Sequence, residues 1–134
     1  MHCPYCTSNT AVVNSRQQKR SNSVWRRRKC LKCGAIWTSS ETPDYATVWR
    51  IKKDGKLLNF EPETLYISLY EALSHKNRPQ IAAKHLLTTV TSSLAKLNEP
   101  VITNEQIYET AYLTLRRFDK LAADIYKATS QSNK

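Results

Sequence analysis

The chain has 134 residues, 40% of them hydrophobic and 24% charged, with two glycines and five prolines. That excludes a low-complexity or linker-dominated chain and leaves room for a small domain plus one of modest size. A formal net charge of +10 points to a polyanionic partner, nucleic acid before an acidic membrane surface.

The N-terminal stretch "MHCPYCTSNT" is polar within a few residues and has no secretory core. No apolar run approaches the roughly 20 residues that a membrane-spanning helix needs. The expectation is a cytoplasmic, nucleoid-associated protein with no membrane partner. Residues 1–50 carry nine Lys+Arg against two Asp+Glu, a balance of +7, and residues 51–134 a balance of +3. The polyanion-binding tendency therefore belongs mainly to the N-terminal third.

The four cysteines fall in the same segment as two C-x-x-C pairs, Cys3 with Cys6 and Cys30 with Cys33, with 23 residues between them. In a cytosolic protein clustered cysteines bind metal more often than they form disulfides. Each C-x-x-C turn aims two thiolates at one point, and two such turns make the four-thiolate shell that zinc prefers. Gly34 follows Cys33, where the chain must turn closely around the metal. Redox chemistry in one pair would need a thioredoxin-like βαβ setting, and Cys3 lies too near the start for that. A closed shell leaves no open position for catalysis, so the zinc is expected to be structural. His2 reads as a surface residue.

"TAVVNSR", "SVWRRRKC" and "AIWTSS" read as three strands, which makes residues 1–42 a zinc ribbon. Val12, Val13, Val24, Trp25, Ile36 and Trp37 are its expected thin core, too small to stand without metal. On the second strand Arg26 and Arg28 face one side while Arg27 and Lys29 face the other. Arg16, Lys19 and Arg20 extend this basic blade along the same hairpin. Arginine forks suit phosphates and guanine edges alike, so these seven residues are the nucleic-acid-binding candidates.

After Pro43 a second domain is expected over residues 46–130. Strands run over about 46–53 and 56–60 around Asp54-Gly55, a strong hairpin signal. Pro62 opens a helix with Glu63 in its first turn, and Leu65, Leu69, Ala72 and Leu73 form its apolar stripe. A second helix over about 79–97 carries Ala82, Leu86, Val90, Leu94 and Leu97 on one face. Thr103 and Gln106 form a capping-box pattern that opens a third, with Ile107, Ala111, Leu115 and Phe118 inward. A shorter fourth segment after Asp119 uses Leu121 and Ile125. The fold class is α+β: a small three-stranded ribbon followed by a mainly helical domain with a β-hairpin.

Lys52 and Lys53 beside the tight turn can hold a triphosphate as point charges, or can be only a basic hairpin tip. There is no Walker-type glycine loop and no catalytic Ser/His/Asp or Cys arrangement. His75 and His85 read as satisfied or exposed, and the chain is not expected to be an enzyme.

"MHCPYC", "NSR", "RRRKCLKCG", "WTSSE", "IKKDGK" followed by Phe60, and "LRRFDKLA" together resemble the NrdR family of bacterial repressors, from Met1 to about Ala123. That family joins a zinc ribbon to an ATP-cone and represses ribonucleotide reductase genes. The resemblance implies a ribbon that binds double-stranded operator DNA upstream of those genes through Arg16 and the Arg26–Lys29 run. It also implies a cone that takes ATP or dATP as allosteric effectors and changes the homo-oligomeric state. The nucleotide site it implies is Ile51, Lys52, Lys53, Asp54, Gly55 and Phe60. Arg50 stands where the family usually has valine, Leu58 where it has an acidic residue, and Thr64 where it has lysine. Ser40 replaces the second aromatic of the family's ribbon motif, and "ADIYKATSQ" replaces its "YxRFxSVYR". Losing a phosphate-facing lysine and an acidic contact supports an alternative: a zinc-ribbon module for protein or nucleic-acid interaction whose cone no longer senses nucleotide.

Overall fold

The computed structural model describes residues 1–132 and divides into two compact units, Met1–Pro43 and Asp44–Lys134. The first is an antiparallel sheet of β1 (Thr10–Gln18), β2 (Ser23–Cys30) and β3 (Ile36–Glu41), paired in that order. Residues directly opposite one another in such a sheet share a face. Ala11, Lys29 and Ile36 therefore align with Asn14, Arg27 and Thr38 and with Arg16, Trp25 and Ser40. The opposite face carries Val12, Arg28 and Trp37, then Ser15, Arg26 and Ser39. A β-bulge at Val13 separates the Val12–Arg28 and Asn14–Arg27 pairs. One extra residue on β1 keeps both strands in phase across it.

The expected ribbon core is absent. Val12, Val13, Trp25 and Ile36 are 45%, 55%, 50% and 50% exposed, Val24 and Trp37 are half-buried, and the buried residues are Cys3, Ser23 and Cys30. The reason is geometric. A single three-stranded sheet sends successive side chains to opposite faces, and this unit has no second layer to cover either face.

The second unit opens differently from the expected long strand. Tyr45–Val48 form a helical turn, α1, because Asp44 caps it. The Asp44 carboxylate accepts from the Ala46 N–H at 3.2 Å, and the Thr47 hydroxyl donates to the Asp44 carbonyl at 2.7 Å. Trp49 is buried, stacked on Tyr45 at 5.1 Å and edge-on to Phe60 at 5.4 Å. The hairpin β4 (Arg50–Lys53) and β5 (Lys56–Asn59) follows. Its turn has Asp54 at φ 52° and Gly55 at φ 75°, the two left-handed residues that a tight primed turn requires. A third strand, β6 (Val101–Thr103), runs parallel to β4 and gives the order β5-β4-β6. Sequence reading missed it because three residues show no usable alternation and their partner is distant in the chain.

Helices α2 (Pro62–Ala72), α3 (Pro79–Ala95), α4 (Asn104–Phe118) and α5 (Lys120–Ser132) complete the unit. Leu65, Leu69, Ala72 and Leu73 join Leu86, Val90, Leu94, Ile102, Ala111 and Leu115 in one core. Both halves of the capping box form: Gln106 N–H to the Thr103 hydroxyl at 3.2 Å, and Thr103 N–H to the Gln106 side chain at 2.8 Å.

Three expected core residues are exposed: Leu97 at 41%, Phe118 at 51% and Leu121 at 55%. Leu97 lies past the end of α3, and the extended backbone of Asp119 (φ −156°, ψ 114°) interrupts the helical phase between Phe118 and Leu121. The last helix is full-length rather than short, and it buries Ala122, Ala123 and Tyr126. Asp119 caps the start of α5 and ties the α4–α5 junction to the connection between α2 and α3. Its carboxylate accepts from the Ala122 N–H at 3.1 Å and pairs with Lys76 at 2.6 Å and His75 at 3.1 Å. Hydrogen bonds from Lys76 first, then His75, hold it well below the usual carboxylate range. Among the described residues no helix is long and apolar enough to cross a membrane.

Candidate metal centre and nucleic-acid interface

Cys3, Cys6, Cys30 and Cys33 converge so that their four sulfurs all lie within 4.8 Å of one another. Cys3 and Cys33 approach to 3.7 Å, and Cys6 and Cys30 to 3.5 Å. Zinc–sulfur bonds of about 2.3 Å in a tetrahedron put sulfurs ~3.8 Å apart, so the donor set and its spacing fit zinc. Each knuckle turns through a left-handed residue directly after its second cysteine, Thr7 at φ 62° and Gly34 at φ 75°. The glycine was legible in the sequence; the threonine was not.

Backbone amides point at the sulfurs. The Tyr5 N–H reaches Cys3 Sγ at 3.4 Å, and the Lys32 and Cys33 N–H groups each reach Cys30 Sγ at 3.3 Å. Hydrogen bonds from the Cys33 amide first and the Lys32 amide next outweigh burial, which acts the other way, and set Cys30 down to about 6. Cys33 is helped toward thiolate by the Ala35 amide, but its contact with Cys30, the partial desolvation of its sulfur in the cluster and its contacts with Cys3 and Cys6 outweigh that and push it up to about 11. Bringing four thiolates together without a cation is electrostatically costly, and loading the metal releases protons.

The seven basic residues divide by face. Arg26 donates to Ser15 at 3.1 Å and pairs with Glu41 at 3.4 Å, and Arg28 donates to Ser39 at 2.9 Å. Both are half-buried. Arg16, Arg27 and Lys29 stand exposed on the opposite face. Lys19 and Arg20 sit in the turn between β1 and β2, so the expected blade is two unlike surfaces.

In the second unit a cavity of about 630 Å³ is bounded by Ile51, Lys53, Leu58, Phe60, Glu61 and Thr64 from the hairpin and α2. Asn104, Tyr108, Tyr126 and Ser130 close it from α4 and α5. The Thr64 hydroxyl donates to Glu61 at 2.9 Å. Tyr108 stacks on Tyr126 at 5.4 Å, and burial, with the neighbouring Tyr108, pushes Tyr126 up to about 12.

Residues 1–41 match the model for the N-terminal domain of transcriptional repressor NrdR-like proteins. A transcriptional repressor NrdR of Chlamydia felis is 32% identical over 123 residues, covering 91% of this chain and 80% of that protein. A transcriptional repressor NrdR of Laribacter hongkongensis is 31% identical over 133 residues, covering 96% and 88%. The chain belongs to the NrdR family.

NrdR proteins are regulators by name, not enzymes. Of the nucleotide-site residues that the NrdR resemblance implied, the fold brings Ile51, Lys53 and Phe60 to the cavity. Lys52 pairs with Leu57 on the other face of the hairpin, and Asp54 and Gly55 form its turn. Two of the NrdR departures, Leu58 and Thr64, both line the cavity. Asn104, Tyr108, Tyr126 and Ser130, which line it beside Ile107 from α4 and α5, were missed, because no local pattern marks a wall contributed by distant helices.

Proposed function

We propose that this NrdR-family chain is a zinc-dependent repressor of ribonucleotide reductase genes, which binds operator DNA through its ribbon and senses ATP or dATP in its helical unit. The observation that carries the reading is the convergence of four cysteines at the end of a strand bearing four consecutive cations, Arg26 to Lys29. Cys3, Cys6, Cys30 and Cys33 would hold the zinc. Zinc there supplies a cross-link, not chemistry, and makes the sheet rigid enough to present its cations. Arg16, Lys19, Arg20 and the Arg26–Lys29 run would neutralise phosphates and read guanine edges.

In the helical unit Ile51 and Phe60 would pack against a base, with Lys53 as a point charge for phosphate. A nucleotide alters repression only if it binds the DNA-competent homo-oligomer with a different affinity from the other assemblies. Lys53 is the cavity's cation from the hairpin, and Glu61 opposes it. Leu58 and Thr64, whose hydroxyl is already committed to Glu61, favour a second reading in which the ribbon still binds but the helical unit ignores nucleotides.

The test is a gel-shift titration of zinc-loaded protein on DNA from upstream of ribonucleotide reductase genes, against random duplex of equal length. It is run without nucleotide, with ATP and with dATP. Specific binding that the two nucleotides alter differently is the expected result. Specific binding indifferent to both selects the second reading, and no preference over random DNA overturns the operator reading.

A further inference from the structure

Trp25 is the residue the ribbon's charge pattern does not account for. It sits mid-strand on β2, 50% exposed, where a strand that only neutralised phosphates would gain nothing from a large apolar ring. Its cross-strand neighbours are Arg16 on β1 and Ser40 on β3, and Arg27 follows it on the same face. Trp25, Arg16 and Arg27 border a hollow of about 230 Å³ with Asn14, Ser15 and Thr38. Among the described residues the side chains of Arg16 and Arg27 have no hydrogen-bond or ion-pair partner. Arg26 and Arg28, on the other face, are tied to Ser15, Glu41 and Ser39.

We infer that this face is a seat for an unpaired nucleobase, with Trp25 as the stacking surface and Arg16 and Arg27 as clamps on the flanking phosphates. A paired base shows a protein only its edge, whereas an unpaired one offers a ring face, and an indole on a cationic sheet suits that face. Asn14 and Thr38 add short hydrogen-bonding side chains on the same face, and a rigid, metal-pinned sheet lets the ring act without an ordering cost. The occupant is a single strand, or a single-stranded stretch opened within a duplex. The inference shares the ribbon's cations with the repressor reading but does not need an operator.

Zinc-loaded full-length protein would be titrated with short oligo-dT, oligo-U and a fully paired duplex, following tryptophan emission and salt dependence. Oligo-dT or oligo-U should quench emission more than the duplex does, and the two arms assign DNA or RNA. Trp25→Ala should weaken single-strand binding about five- to 150-fold and remove most of the quench, while Trp25→Phe retains much of the affinity. Arg27→Ala should make the salt dependence shallower by roughly one phosphate contact. Because Trp25 is half exposed, loss of folding does not confound the variant, and zinc content checks this directly. Single-strand affinity unchanged in Trp25→Ala, or no quench by either oligonucleotide, overturns the inference. Operator binding without single-strand binding sinks the inference and leaves the repressor reading standing; single-strand binding without operator preference does the reverse.

Discussion

The ribbon and the helical unit solve the same problem by opposite means. In the helical unit, Trp49, Phe60, Leu69, Leu73, Val90, Leu94, Ile102 and Leu115 are each 3% exposed or less, drawn from helices, a sheet strand and the connections beside them, which cover one another. In the ribbon, none of the large apolar residues is buried, most of them are exposed, and burial concentrates at Cys3 and Cys30. A unit of 43 residues in one sheet layer cannot bury enough surface to offset its chain entropy. Metal coordination takes the place of a core, and the sheet faces are left to contact something else.

Removing the metal should break that contrast most strongly. Structural zinc contributes folding free energy on the order of 10–16 kcal/mol in small metal-held domains. Cys30→Ser or a strong chelator should therefore erase the ribbon's dispersed amide resonances while those of α2–α5 persist. A single joint collapse would show that the two units are not independent.

The mirror experiment is Leu115→Ala, at a side chain 0% exposed in the helical core. It should cost about 2–5 kcal/mol in urea denaturation and leave the ribbon's zinc affinity, measured by chelator competition, unchanged. Thr103→Ala removes one half of the capping box that opens α4 and should cost about 1 kcal/mol, visible as a lower urea midpoint with the same slope.

Acid should act on the helical unit through Asp119. Its folded value is depressed by Lys76 and His75, so the stability it contributes is present above its unfolded value near 4. That stability is lost as pH falls below that value toward the folded one. Asp119→Asn should be less stable than wild type at neutral pH and show a flatter decline below about pH 4. Smallest of all, Val13→Ser on the exposed bulge (55% exposed) should shift stability by no more than about 0.5 kcal/mol, where an equivalent change at Val90 would be severe.

How far the sequence could be read follows the range of the interactions concerned. The spacing of Cys3, Cys6, Cys30 and Cys33 announces a metal shell because ligand chemistry demands that spacing. Asp54-Gly55 announces its turn, and Thr103 with Gln106 announces the start of α4, because each satisfies a local backbone requirement. The apolar stripe of α2 was readable in full, since helical periodicity alone assigns Leu65, Leu69 and Ala72 to one side. Trp25 was misread as core because hydrophobicity marks a residue that can be buried, and only a second layer would have buried it. Likewise Asp44 turned residues 45–48 into a helix by a cap of one residue, which alternation does not register.

By itself, then, the sequence determined the basic strand and the main helices, which rest on local periodicity, and the four sulfurs, which are far apart in the chain but announced by two C-x-x-C turns that each satisfy half of one metal shell. The tertiary structure alone decided the parallel pairing of β6 with β4, the cavity wall formed by Asn104, Tyr108, Tyr126 and Ser130, and the tethering of Arg26 and Arg28 to Ser15, Glu41 and Ser39, which leaves the other cation face open. Each of these joins residues far apart in the chain, through pairing registers and burial that no short stretch encodes.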